Sequence, residues 1–296
     1  MNLLSVGDLG PDQLAGVIDL AARVKADPGS VADTLKGRSI GLFFMKQSVR
    51  TWVSCDVAAM ELGLHSVSIR NEEVGLGKRE PPEDVGRVLE RYLDLLALRV
   101  FDHTDLTRLA GQVRIPVVNL LSDREHPCQA IGDLQTIAER RPLRGTVLTY
   151  VGDGNNVANS LVLAAAMAGI EVRVASPPGY EPMPEALAMA AEHGPVSVTS
   201  DPRQAVAGAD VVYTDVWTSM GQEDEALDRQ RAFAGFQVDT ELFELASADA
   251  FFMHCLPAHR GEEVTADMLE HPRSVVFDQA ENRKHSFKAI LLHLLG

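Results

Sequence analysis

Cysteine is scarce in this sequence: three residues, at 55, 128 and 255, in a chain of 296. Their odd number and wide spacing exclude a disulfide framework and suit a reducing compartment, so a cytoplasmic location is expected. Long hydrophobic runs are missing too. No stretch approaches the ~18 apolar residues of a membrane span. Met1 to Gln13 mixes acidic, Gly and Pro residues and does not read as a signal peptide. No membrane partner is expected. Positive charge is in short supply, with 27 Lys and Arg against 42 Asp and Glu, a net charge of -15 and a pI near 5.0. That balance argues against nucleic acid and anionic membrane surfaces as partners, both of which need a basic patch. It leaves room for a small anionic ligand, because a local arginine cluster outweighs the global field at short range. Internal repeats and low-complexity tracts are also lacking.

What is present is an ordinary globular composition, 46% hydrophobic, in a chain long enough for two α/β domains. Apolar runs read as strands at Ile40–Phe44, His65–Ile69, Leu95–Val100, Val117–Leu121, Thr146–Val151, Glu171–Ala175, Val196–Thr199, Val211–Thr214, Phe251–His254 and Ser274–Phe277. Helical patterns alternate with them. One runs from Trp52 to Leu62 with Val53, Val57, Met60 and Leu64 as its apolar face, and a final one ends at Leu295. The alternation argues for two doubly wound parallel-sheet domains joined by interdomain helices, with the boundary on the helix that Pro142 ends.

Polar clusters follow six of these strands, around Ser48, Arg99, His126, Asn156, Asp215 and Cys255. In doubly wound sheets this is the ligand edge. Ser48, Arg50 and Thr51 sit at a strand-to-helix turn, where unpaired N–H groups and the helix dipole favour an anion. The plain alternative is a helix cap with Arg50 solvated. Arg99 points from a strand end toward the crevice, or else makes a surface salt bridge. His126 and Gln129 flank Pro127 at a helix start, where they would hold a carbonyl or simply cap the helix. Asp215 at a strand end would hold an ammonium group, with Ser219 four residues on, or else cap a helix. Arg283 reads as a third arginine just beyond a strand.

Three other chemistries fit poorly. Gly152-Asp153-Gly154-Asn155-Asn156-Val157 is a partial dinucleotide fingerprint whose third glycine is replaced by Val157, and no acidic residue follows Ala175 for a ribose. His254, Cys255 and His259 do not match common zinc spacings, so no metal is expected. Cys255 has no His/Asn pattern that would make it a nucleophile. The remaining groups suit transfer from a small phosphorylated donor to an amine by positioning and charge stabilisation.

Five motifs carry a resemblance to a known family: Ser48-Val49-Arg50-Thr51, His126-Pro127-Cys128-Gln129, Asp215-Val216-Trp217-Thr218-Ser219-Met220-Gly221, His254-Cys255-Leu256-Pro257 and Asp278-Gln279-Ala280-Glu281-Asn282-Arg283. The chain resembles the ornithine carbamoyltransferases, within the aspartate/ornithine carbamoyltransferase superfamily, from about Leu14 to Gly296. The resemblance implies a carbamoyl-phosphate-binding domain over residues 1–138, an ornithine-binding domain over 139–278 and a C-terminal helix, 279–296, packing back on the first. Ser48, Val49, Arg50 and Thr51 would cradle the phosphate. Arg99, His126, Gln129 and Arg283 would hold phosphate and carbonyl oxygens. Asn156, Asp215, Ser219 and Met220 would bind the amino-acid end of L-ornithine, and Cys255 and Leu256 would line the site near the reacting amine and contact carbamoyl phosphate, with Cys255 among the catalytic residues. It further implies no cofactor, a trimer or a multiple of trimers, and a loop near Gly75 to Glu80 that reaches a neighbouring site. Two alternatives stay open: a carbamoyltransferase for another ornithine-like amine, and a non-catalytic relative that binds carbamoyl phosphate or an amino acid. One departure stands out. The family's phosphate motif usually continues Arg-Thr-Arg, and here Trp52 replaces the second arginine, which suggests packing in the core or at a subunit contact.

Overall fold

The computed structural model describes residues 1–46, 48–218 and 223–296. Two compact units are present, one made of Met1–Gln135 with Glu281–Gly296, the other of Thr136–Ala280.

Unit 1 is built on four strands, β1 (Ser39–Phe44), β2 (His65–Arg70), β3 (Leu95–Arg99) and β4 (Val117–Leu121), in the order β2-β1-β3-β4 and all parallel. Burial on both faces explains why β3 is apolar without alternation from Leu95 to Leu98, up to the buried Arg99. Phe43, Leu96, Leu98 and Val117 pack with Leu106 and Leu109 of the His103–Ala110 helix. The chain winds outward from β1 to β2, then returns to the other side of β1 with β3. The order therefore reverses between β1 and β3, which makes their carboxyl ends the natural ligand crevice.

Unit 2 carries five strands, β5 (Val147–Val151), β6 (Glu171–Ala175), β7 (Val196–Thr199), β8 (Val211–Thr214) and β9 (Phe251–His254), again all parallel, in the order β7-β6-β5-β8-β9. Its reversal lies between β5 and β8. The Asn156–Met167 helix that follows β5 is buried on nearly every side, and Val151, Val212, Phe252, Phe233 and Phe243 share one core.

Two expectations need correction. The apolar face assigned to the helix after β1 is the wrong one. The helix spans Val49–Glu61 and buries Thr51, Cys55, Ala58 and Ala59, while Val53 and Met60 are exposed and Trp52 is 45% exposed rather than in the core. Small side chains let the helix sit close on the sheet, and the bulky ones face outward. The strand expected at Ser274–Phe277 is also absent. Phe252 N–H donates to Arg273 O and Val275 N–H to Phe252 O, which leaves an isolated bridge. The chain then enters the Val276–Leu295 helix, so Arg283 lies inside that helix, two turns from its start.

Candidate active site

In unit 1, the strand-to-helix turn after β1 brings the first candidate group together. Ser48 is the N-cap residue of the Val49–Glu61 helix, but its side chain makes no capping bond. Its Oγ lies 3.1 Å from Thr51 Oγ1 instead. The helix N–H groups that Ser48 would otherwise cap keep their positive end open to an anion. Thr51 is buried, whereas Val49 and Arg50 are exposed.

Arg99 ends β3 beside a register shift, where Leu98 faces Asn119 and Arg99 faces Leu121. Such an irregularity redirects the side chain that follows it. Arg99 is only 6% exposed. His126 precedes the Pro127–Ala138 helix, and its carbonyl accepts from the Gln129 N–H at 3.0 Å. The imidazole is buried, and burial, reinforced by the charges of Arg283 and Arg99, holds its pKa well below the usual histidine value. The ring is therefore neutral near pH 7 and able to offer one N–H and one lone pair.

Arg283 joins the set from the C-terminal segment of unit 1. Its Nη1 donates to Gln129 Oε1 and its Nη2 reaches Thr51 Oγ1 at 3.4 Å. Gln129 Nε2 in turn donates to Asp133 Oδ1 at 2.8 Å, which fixes the orientation of its amide. Asp133, fully buried one turn along the same helix, had a legible signal in its four-residue spacing from Gln129, but the sequence reading did not single it out. Thr51, Gln129 and Arg283 are thus linked directly, and Arg99 and Arg283 both act electrostatically on His126.

In unit 2, the loops after β5, β8 and β9 carry the second group. Asn155 caps the Asn156–Met167 helix, accepting from Val157 N–H and Ala158 N–H, while its Nδ2 donates to Asp215 Oδ2 at 3.0 Å. Asn156 is the first residue of that helix. Asp215 is 5% exposed, and burial raises its carboxyl pKa against the opposing pull of His254 and Asn155. A cation docked against it would favour the ionised form. Ser219 and Met220 lie outside the described residues.

Cys255 and Leu256 follow β9, with Leu256 in the left-handed region at φ 58. Leu256 N–H donates to His254 Nδ1 at 2.8 Å, and the ring's Nε2 stands 3.0 Å from Glu263 Oε1. Glu263 Oε1 also accepts from His259 N–H at 2.6 Å. Glu263 is fully buried and braces the loop that carries Cys255. Nothing local in the sequence ties it to a histidine nine residues earlier. Among the described residues, the potential metal ligands that gather are His259, Glu262 and Glu263, within 4.8 Å of one another. His254 and Cys255, weighed as zinc ligands on sequence, are not in that group. Among the described residues, no helix is long and apolar enough to cross a membrane.

The chain is similar along nearly its whole length to known proteins. Residues 1–139 match the carbamoyl-P binding domain of the aspartate/ornithine carbamoyltransferases, and residues 144–294 match their Asp/Orn binding domain. The ornithine carbamoyltransferase of Acidothermus cellulolyticus is 53% identical over 300 residues, covering 99% of this chain and 96% of its own. That of Thermus thermophilus is 49% identical, covering 99% and 96%. The solved ornithine carbamoyltransferase of Pyrococcus furiosus superposes with a TM-score of 0.96 at 44% identity, covering 100% of this chain and 97% of that one. Matched over both domain models and along nearly its whole length, the chain belongs to the aspartate/ornithine carbamoyltransferase family.

Proposed function

We propose that the protein transfers the carbamoyl group of carbamoyl phosphate to the δ-amine of L-ornithine, giving L-citrulline and phosphate. The observation that carries this reading is the bridge from Gln129 through Arg283 to Thr51, beside the buried pair Arg99 and His126. It gathers cationic forks, an open helix N-terminus and a neutral imidazole in one unit, which suits an anion attached to a carbonyl. Residues 1–138 then form the donor domain, 139–278 the acceptor domain, and 279–296 the helix that completes the first.

In this reading Ser48, Val49, Arg50 and Thr51 hold the phosphate, Val49 through its backbone N–H. Arg99, His126, Gln129 and Arg283 hold the phosphate and carbonyl oxygens, and their charge is placed where the tetrahedral intermediate becomes anionic. Asn156, Asp215, Ser219 and Met220 hold the α-amino and α-carboxyl groups of ornithine, with Cys255 and Leu256 beside the reacting amine. The neutral δ-amine attacks the carbonyl carbon and an N–C bond forms. The C–O bond to phosphate then breaks with its electron pair on the phosphate oxygen, and the departing phosphate takes up the proton that the amine releases. No cofactor or metal is required. Three free cysteines support a cytoplasmic enzyme, and formation of citrulline would suit arginine biosynthesis. The exposed apolar side chains Val49, Trp52, Val53 and Met60 on one helix support a homotrimer or a multiple of it.

The test is citrulline formation by the purified protein with carbamoyl phosphate and ornithine. Rapid turnover is expected. Phosphate release with a different amine instead would reassign the acceptor. Silence with every amine would favour a binding protein, the reading that Trp52 in place of the family's arginine supports.

A further inference from the structure

Two loops rise beside the strand-order reversal of unit 2, one after β5 and one after β8, and one guanidinium ties them together. Arg229 lies in the Ala226–Ala232 helix and is 6% exposed. Its Nη1 pairs with Asp153 Oδ1 at 3.0 Å and donates to the Trp217 carbonyl at 2.9 Å. Its Nε donates to Glu225 Oε2 at 3.0 Å, and its carbon centre stands 5.1 Å from the Tyr180 ring. The Trp217 ring stacks on Phe233 with centroids 5.5 Å apart, and Phe233 meets Tyr180 edge-on at 5.0 Å.

The β5 loop is held just as tightly on its other side. Gly154 N–H donates to Tyr180 O at 2.7 Å, and a Cβ at Gly154 would fall 2.1 Å from the Glu181 backbone. Arg229 therefore closes a ring that runs from the β5 loop through Tyr180, Phe233 and Trp217 to the β8 loop. Buried ion pairs of this kind are poor sources of stability, since desolvation offsets most of their attraction. What the pair does supply is a fixed separation between two loops. The loop it fixes begins at Asp215, which Asn155 braces from the same β5 loop.

Resting on the assignment of Asp215 and Asn156 to the acceptor, we propose that Arg229 is a positioning residue for ornithine. It clamps the main chain of the β8 loop to Asp153 and so holds the Asp215 carboxylate where the acceptor's ammonium group must sit. The partners named here all belong to unit 2, whereas the proposed phosphate ligands belong to unit 1 and Cys255 and Leu256 lie on a separate loop, after β9. The clamp therefore acts on acceptor affinity and leaves donor affinity alone.

The test is the steady-state kinetics of Arg229→Gln, Arg229→Lys, Asp153→Asn and the double variant Asp153→Asn/Arg229→Gln. The double variant removes both buried charges at once, so it keeps the inference testable if Arg229→Gln alone fails to fold. The expected result is an ornithine KM raised by roughly 10- to 100-fold, with the carbamoyl phosphate KM within about 2-fold of the parent. Lysine should restore part of the loss. Competitive inhibition by 2-aminopentanoate, which has the same amino-acid end and no side-chain amine, should weaken in parallel. Equal rises in both KM values, or unchanged inhibition by 2-aminopentanoate, would overturn the inference while ornithine turnover by the parent stands. A parent enzyme silent with ornithine would overturn the proposed function and this inference with it.

Discussion

His126 is a buried histidine beside two arginines, so its protonation carries a measurable signature. Its pKa in the folded protein lies below the ordinary value of 6.5, and an unfolded chain returns it to that value. Between the two values the unfolded state binds the extra proton, so stability rises with pH through that window and is lost as pH falls below about 6.5. His126→Asn should flatten this fall, as read by urea midpoints at several pH values from about 7.5 down to 5. An unchanged slope would place the loss on other groups. Arg283 makes a complementary case. A lysine has one point charge and cannot reach Gln129 and Thr51 together, so Arg283→Lys is not a conservative change here. A loss of about 10²-fold in kcat/KM for carbamoyl phosphate is expected, the size of one lost oxyanion contact. A loss below about 3-fold would remove Arg283 from the proposed donor set.

At the scale of elements, the Val49–Glu61 helix presents two periodic faces. Thr51, Cys55, Ala58 and Ala59 turn inward, while Val49, Trp52, Val53 and Met60 turn outward. An outward stripe of large apolar side chains is the mark of a surface meant to be covered. Val53→Glu with Met60→Glu should therefore convert the proposed trimer to monomers in sedimentation velocity. An unchanged mass would move the subunit contact elsewhere. The same helix shows where sequence reading runs out. Both faces recur at helical spacing, and hydrophobicity alone chose the bulkier one, because the demand for small side chains comes from the sheet behind them. The strands were legible for the opposite reason. Val117–Leu121, Glu171–Ala175, Val211–Thr214 and Phe251–His254 are short apolar runs bounded by polar turns, and each is a strand over the same residues. The run at Ser274–Phe277 looked alike but lacks a continuous neighbour to pair with. Thr51, Arg99, His126 and Asp215 lie at or just after strand ends, as expected, whereas Arg283, expected beyond a strand, comes from inside a helix. Of their braces, Asp133 carried a sign in its four-residue spacing from Gln129, whereas Glu263 and Arg229 carried none, since a buried polar partner is specified by tertiary distance rather than by spacing.

At the scale of the whole molecule, both sheets are wholly parallel, so each strand pair is joined by a long crossover. Pairings of that kind form slowly, because chain must be looped before contacts reward it. Unit 1 adds a further delay, since its residues come from both ends of the sequence. On a ribosome, unit 2 is complete once residue 280 has emerged, while unit 1 still waits for its last segment. Thr51 and Gln129 are made early, and the guanidinium that links them is made only after unit 2. The nascent chain therefore holds the pieces of an anion pocket long before it can close one. The order of translation thus delays closure of the proposed pocket until Arg283 has emerged.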